Sequence, residues 1–174
     1  MIIEGYDYDF PVIGYDRKGL SADRVMTPKN VYGTAFNIGE DYFMTAGHSL
    51  KNAAHENDTL AIGYVDGQGY FASEVLDYEV IPEFDIGFVR VVAKINRAKS
   101  LEWEHNRLAS LIDVGASGYP YALDPESKTI GGRSFKGYIV SRKRFHGFTA
   151  KPWVYELSFQ CPRGISGAGL LPEN

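Results

Sequence analysis

Apolar and polar residues alternate along Gly33-Thr34-Ala35-Phe36-Asn37-Ile38 and again along Tyr42-Phe43-Met44-Thr45, with only Gly39, Glu40 and Asp41 between the two runs. A period of two places successive side chains on opposite faces of an extended backbone, and a short polar, glycine-containing connection folds one run back on the other as a hairpin. The same pattern recurs through the chain. Strands are expected at residues 32–37, 42–45, 59–65, 70–78 and 85–92, then at 113–118, 134–142 and 153–159, with turn residues between them. Along the last of these, Trp153, Tyr155, Leu157 and Phe159 share one face and are expected to form a wall of the core. The fold class is all-β. Residues 94–107, rich in Lys, Arg and Glu, read as a linker between two groups of strands.

Three short segments carry chemistry. Gly164-Ile165-Ser166-Gly167-Ala168-Gly169 sets a serine among glycines. Without a Cβ, glycine lets backbone come close, so the amides of Gly164 and Ser166 can point at a developing oxyanion while the serine oxygen attacks a carbonyl. A serine among glycines also marks ordinary turns and, as Gly-x-Ser-x-Gly, the strand-to-helix elbow of another hydrolase fold, so the turn alone leaves these readings open. His48 follows Thr45-Ala46-Gly47, where the second arm of the hairpin ends. It is either a rigidly held, accessible imidazole or a surface residue starting a short helix over residues 49–54. Asp85 opens the apolar run Ile86-Gly87-Phe88-Val89. A partly buried carboxylate there requires a partner, which an imidazole N–H can supply, although Pro82 also suits a plain turn.

Taken together these segments resemble the trypsin-like (chymotrypsin-fold) serine peptidases, in particular the disulfide-free bacterial branch. Thr45-Ala46-Gly47-His48 is similar to the family's Thr-Ala-Ala-His block, Asp85-Ile86-Gly87-Phe88 to its Asp-Ile-Ala-aliphatic block, and Gly164-Ile165-Ser166-Gly167 to its Gly-Asp/Asn-Ser-Gly block. Gly118-Tyr119-Pro120 resembles the run that begins the second barrel. The order His, Asp, Ser is the family's, whereas the elbow fold runs Ser, Asp, His.

The resemblance implies two six-stranded Greek-key β-barrels, the first within residues 1–107 and the second within 108–174. It implies a serine endopeptidase acting on polypeptides without metal or organic cofactor. Ser166 would be the nucleophile, His48 the general base and acid, and Asp85 the residue orienting it. The backbone amides of Gly164 and Ser166 would form the oxyanion hole, and Gln160, six residues before the serine, would lie at the base of the primary pocket. A neutral amide there offers no charge to attract Lys or Arg, so the expected substrate carries a small or uncharged residue before the scissile bond. Ile165 stands where the family usually has Asp or Asn, which excludes activation by a new N-terminal amine pairing beside the serine. Eight residues follow Ser166, fewer than the family uses to close its second barrel. The expectation is therefore an incomplete second barrel, completed by a further C-terminal segment or a partner chain. The alternatives are a non-catalytic binding or scaffold module on the same fold, or a protein that cleaves only itself or a fused partner.

Composition restricts the remaining classes. With 44% hydrophobic and 14% aromatic residues, 174 residues bury a sizeable core. A net charge of −4 argues against general nucleic-acid binding, and charges or glycines interrupt each apolar run well before membrane length. The single cysteine, Cys161, excludes an intrachain disulfide and points to a reducing compartment, so a cytoplasmic location is expected. Cys161 lies five residues before Ser166 and reads as a packed or pocket-rim thiol. His48 and His55, seven apart, could share a helix face as metal ligands but lack a third well-spaced ligand. Gly67-Gln68-Gly69 reads as a hairpin turn. Arg142-Lys143-Arg144 with His146 reads as a solvated hairpin tip, or as a surface for an acidic partner.

Overall fold

The chain winds twice into antiparallel sheet, and the two sheets differ in closure. The structure is a computed structural model that describes residues 7–16, 28–66, 69–102, 104, 106–120 and 130–172. The first sheet uses β1 (Asp9–Tyr15), β2 (Asn30–Gly39), β3 (Tyr42–Ala46), β4 (Thr59–Asp66), β5 (Gly69–Ile81) and β6 (Ile86–Val91) in the order β1-β2-β3-β6-β5-β4. It closes into a barrel because β1 pairs on its second side with β4, Val12 opposite Ile62 and Tyr15 opposite Thr59. Closure leaves no edge exposed.

Alternation turns one face of each strand inward. Phe10, Val12, Ala35, Phe43, Leu60, Ile62, Val89 and Val91 fill the barrel, and Phe10 meets Phe43 edge to face with ring centroids 5.5 Å apart. Between β3 and β4 the chain forms α1 (Gly47–His55). Leu50 and Ala53, three residues apart on one helical stripe, are buried against the barrel and fix how the helix lies on it.

The second sheet holds β7 (Asp113–Gly118), β8 (Arg133–Arg144), β9 (Trp153–Leu157) and β10 (Leu170–Pro172) in the order β10-β7-β8-β9. It has four strands among the described residues and is open, with β9 and β10 at its edges. A second buried cluster joins the two sheets: Ile13, Tyr15 and Ala61 of the barrel pack with Tyr119 and Ile130.

All eight expected strands are present, and two more were not anticipated. β1 carries Pro11 and Gly14 inside its apolar run, both unfavourable in strand interiors. β10 is three residues long and ends in proline, too short for a period to show. None of the four residues expected to form a core wall along residues 153–159 is buried: Tyr155, Leu157 and Phe159 are half-buried, and Trp153 departs furthest. It is 48% exposed, because β9 is an edge strand of the open sheet and the indole lies against two arginines instead. Gly67 and Gln68, read as a hairpin turn, lie outside the described residues.

Candidate active site

His48 is the second residue of α1, immediately after β3, so both readings of its position hold at once: the strand ends and the helix begins there. Asp85 occupies the turn before β6 with φ of 55°, a left-handed conformation that Asp tolerates better than most side chains. The pairing of β3 with β6, Ala46 opposite Ile86, brings the two together. Gly47 N–H donates to the Asp85 carbonyl at 2.8 Å, and His48 N–H donates to Asp85 Oδ1 at 2.7 Å. The other carboxylate oxygen, Oδ2, lies 2.6 Å from His48 Nδ1. A carboxylate facing Nδ1 favours the tautomer with its proton there, leaving Nε2 as the free base.

Ser166 reaches the same place from the other sheet. Its carbonyl accepts the Thr34 N–H at 2.9 Å, which pins the serine turn on β2. The Thr34 hydroxyl donates to the Gly164 carbonyl at 2.8 Å and accepts the Tyr119 N–H at 3.0 Å. Two glycines make this docking possible. Gly164 and Gly167 have φ of 95° and 89°, and a Cβ on either would overlap backbone, the Tyr119 carbonyl in one case and the Thr34 carbonyl in the other.

Within the turn Ile165 N–H donates to the Pro162 carbonyl at 3.3 Å and Ala168 N–H to the Ile165 carbonyl at 2.9 Å. Gly164 and Ser166 N–H have no acceptor among the described residues. Ile165, where a polar residue was expected from the resemblance, is buried.

Two cavities meet at the serine. His48, Gly164 and Ser166 line one of about 590 Å³, with Asn52 and His55 of α1, Glu56 just after it, Tyr32 of β2, and Arg163 around the rest. Asn52 and His55 follow His48 at four and seven residues, so one helical stripe supplies all three. Tyr32 is held there by Asp58, which accepts its hydroxyl at 2.6 Å; burial and this carboxylate push the phenol up to about 12. The other cavity, about 350 Å³, is largely apolar, lined by Leu157, Ile165, Ala168 and Leu170 together with Ser166. Cys161 stands on its lining, and burial pushes its thiol up. Gln160 is exposed and does not line this cavity.

No hydrogen bond joins the Ser166 hydroxyl to His48 among the described residues, although both line one cavity. Among those residues there is also no group of three or more His, Cys, Asp or Glu placed to hold a metal ion, and no helix is long and apolar enough to cross a membrane.

Two positioning groups escaped the sequence reading. Thr34 gives no local sign of its role, since its partner is 130 residues away. Asp9 is fully buried; its carboxylate accepts the Ser117 hydroxyl and, at 3.3 Å, the N–H of Gly169, three residues past Ser166. The only available sign was an acid placed directly before the apolar run Phe10-Pro11-Val12-Ile13.

No family model matches the sequence, and no curated protein matches it. Solved structures do. The chain is similar to Deg5, with 13% identity, a TM-score of 0.67, and coverage of 95% of this chain and 74% of that one. It is similar to the active form of the Rv3671c protease from M. tuberculosis at 17% identity and a TM-score of 0.61, covering 95% and 65%. Against the HtrA-type protease AlgW with decapeptide, identity is 15% and the TM-score 0.69, and the match covers 95% of this chain and about half, 52%, of that one. A closed six-stranded antiparallel barrel followed by an open second sheet is thus the fold of the trypsin-like serine proteases.

Proposed function

We propose that this chain is a serine endopeptidase. The observation that carries this reading is the two-point contact of Asp85 with His48, through Nδ1 and through the backbone N–H, at the rim of a cavity that Ser166 also lines. In the proposed reaction the Ser166 oxygen attacks a peptide carbonyl as its proton passes to His48 Nε2. Asp85 holds the imidazole and stabilises its cation. The carbonyl oxygen takes the developing negative charge, which the Gly164 and Ser166 N–H groups stabilise; each such donor contributes about 3–4 kcal/mol in the transition state. The C–N bond then breaks, His48 returns the proton to the leaving amine, and an acyl ester remains on Ser166. Water, deprotonated by His48, attacks that ester, releasing the carboxylic acid and restoring the serine.

On this reading the two cavities support a division of the substrate about the cut. His48, which protonates the leaving amine in this reaction, lines the larger of these two cavities and not the apolar one, so the residue after the scissile bond faces Asn52, His55 and Glu56. The residue before it enters the apolar cavity, which favours an aliphatic side chain. A non-catalytic binding module is the second reading, favoured by the absence of a Ser166–His48 hydrogen bond among the described residues.

Labelling with a fluorophosphonate distinguishes them. The wild-type chain is expected to gain the mass of one adduct and Ser166→Ala none. A folded wild type that stays unlabelled overturns the peptidase reading.

A further inference from the structure

Away from the cleft, positive charge is concentrated at the far end of the β8–β9 hairpin. Residues 141–156 contain Arg142, Lys143, Arg144 and Lys151 against the single acid Glu156, a net +3 with His146 neutral. The whole chain carries −4, so the remainder carries −7. The pairing of β8 with β9, Arg142 opposite Tyr155 and Arg144 opposite Trp153, sets both arginines on the Trp153 face. Their guanidinium carbons lie 4.4 and 4.6 Å from the indole ring. Glu156 is engaged on the opposite face by Ser141 at 2.7 Å and Lys143 at 3.1 Å.

Neither Arg142 nor Arg144 has a carboxylate partner among the described residues. Arg144 is fixed by donating to the Lys151 carbonyl at 3.0 Å, and Phe145 meets Phe148 edge to face at 5.3 Å across the turn. The result is a half-exposed indole against two arginines whose remaining N–H groups suit carboxylates, which they bind in a planar, two-pronged way.

We propose that Arg142, Trp153 and Arg144 form a docking surface for an acidic segment of the polypeptide substrate, a few residues before the bond that is cut. The placement follows from β9. Trp153 and Leu157 share one face of the strand and stand four residues, about 13 Å, apart. Leu157 lines the apolar cavity beside Ser166. An extended chain seated in that cavity and continuing along β9 therefore meets the arginines about four residues upstream. The rest of the chain carries a net −7, which repels an extended polyanion or an anionic membrane more than a short acidic peptide. The side of the cut rests on the proposed function; the docking surface does not.

The test uses the full chain carrying Ser166→Ala and two peptides with a single valine. In one, three Glu stand three to five residues before the valine; in the other these are Gln. Calorimetry at low salt is expected to show the Glu peptide binding about tenfold more tightly. The preference should shrink as salt rises and vanish in Arg142→Gln/Arg144→Gln, with the circular dichroism unchanged. In the wild type the same preference should appear in KM, with kcat equal for the two peptides. Equal binding of the peptides overturns the proposal. So does tighter, arginine-dependent binding of a single-stranded oligonucleotide or of phosphatidylserine vesicles. An equal preference when the Glu residues follow the valine overturns the placement. Selective binding of the Glu peptide with neither peptide cleaved supports the docking surface and overturns the peptidase reading, so the two failures are separable.

Discussion

Thr34, fully buried in the barrel, and Gly164, two residues before Ser166, are joined by a 2.8 Å hydrogen bond from the threonine hydroxyl to the glycine carbonyl. Because the same hydroxyl accepts the Tyr119 N–H, one side-chain oxygen ties β2 to both the end of β7 and the serine turn. Thr34→Val keeps the shape and removes both bonds. Leaving two backbone groups unpaired costs about 2–4 kcal/mol, read as a lower midpoint of chemical unfolding, while Thr34→Ser should stay within about 1 kcal/mol of wild type. Serine-probe labelling should slow in Thr34→Val and persist in Thr34→Ser. Equal stability of Val and Thr at this position would show that the hydroxyl does not hold the turn.

This residue also marks the limit of what a sequence reading reaches. His48, Asp85 and Ser166 stand out in the sequence as candidates because each sits in a short local pattern, a strand ending or a glycine turn. β2 through β6 were legible because alternation and turn residues lie within a few positions of one another. Thr34 and Asp9 act across 130 and 160 residues, on partners that only barrel closure and sheet docking bring close. β1 was hidden by Pro11 and Gly14, which the barrel tolerates because pairing with both β2 and β4 outweighs local propensity. Trp153 followed its strand period but not the expected burial: periodicity assigns a residue to a face, and it is the neighbouring strands that decide whether that face is covered.

Gly167 gives a second prediction. Its φ of 89° disfavours any L side chain, and a Cβ would overlap the Thr34 carbonyl and approach Thr45 Oγ1 at 2.5 Å. Gly167→Ala forces the turn off β2. The expected cost is about 1–3 kcal/mol of stability, with a marked loss of serine-probe labelling. Gly39 is the control. Its φ is also positive, 135°, but a Cβ there meets nothing within 4 Å, so Gly39→Ala should affect stability alone.

Asp9 sets a pH dependence. Burial pushes its carboxyl up to about 6 despite the bonds from Ser117 and Gly169, and no cation pairs with it among the described residues. In the unfolded chain the same group titrates near 3.8. Between those values the folded state binds more proton than the unfolded state, so this group makes stability rise as pH falls from about 6 toward about 4. Above pH 6 the buried charge costs on the order of 3 kcal/mol relative to the neutral form. Asp9→Asn, whose amide oxygen accepts from Gly169 and whose NH₂ donates to Ser117, should be more stable than wild type at pH 7. That advantage should shrink as pH drops from 6 to 4. A difference between the two proteins that does not vary with pH would show that Asp9 has no raised titration.

Asp85 separates orientation of the imidazole from shaping of the backbone. Its Oδ1 takes the His48 N–H and its Oδ2 faces Nδ1, so Asp85→Asn keeps one acceptor and presents an NH₂ to the other contact. That NH₂ favours the tautomer with a bare Nδ1 and a protonated Nε2, which no longer accepts the serine proton. The expected loss in peptidase turnover is on the order of 10⁴-fold. Stability should hardly change, because Asn also tolerates the left-handed conformation at φ of 55°. Asp85→Ala should lose comparable activity and about 1–2 kcal/mol more stability, since alanine pays for that φ and leaves the His48 N–H unpaired. If Asn and Ala prove equally active, with rates near wild type, the Asp85 carboxylate is not the group that orients His48.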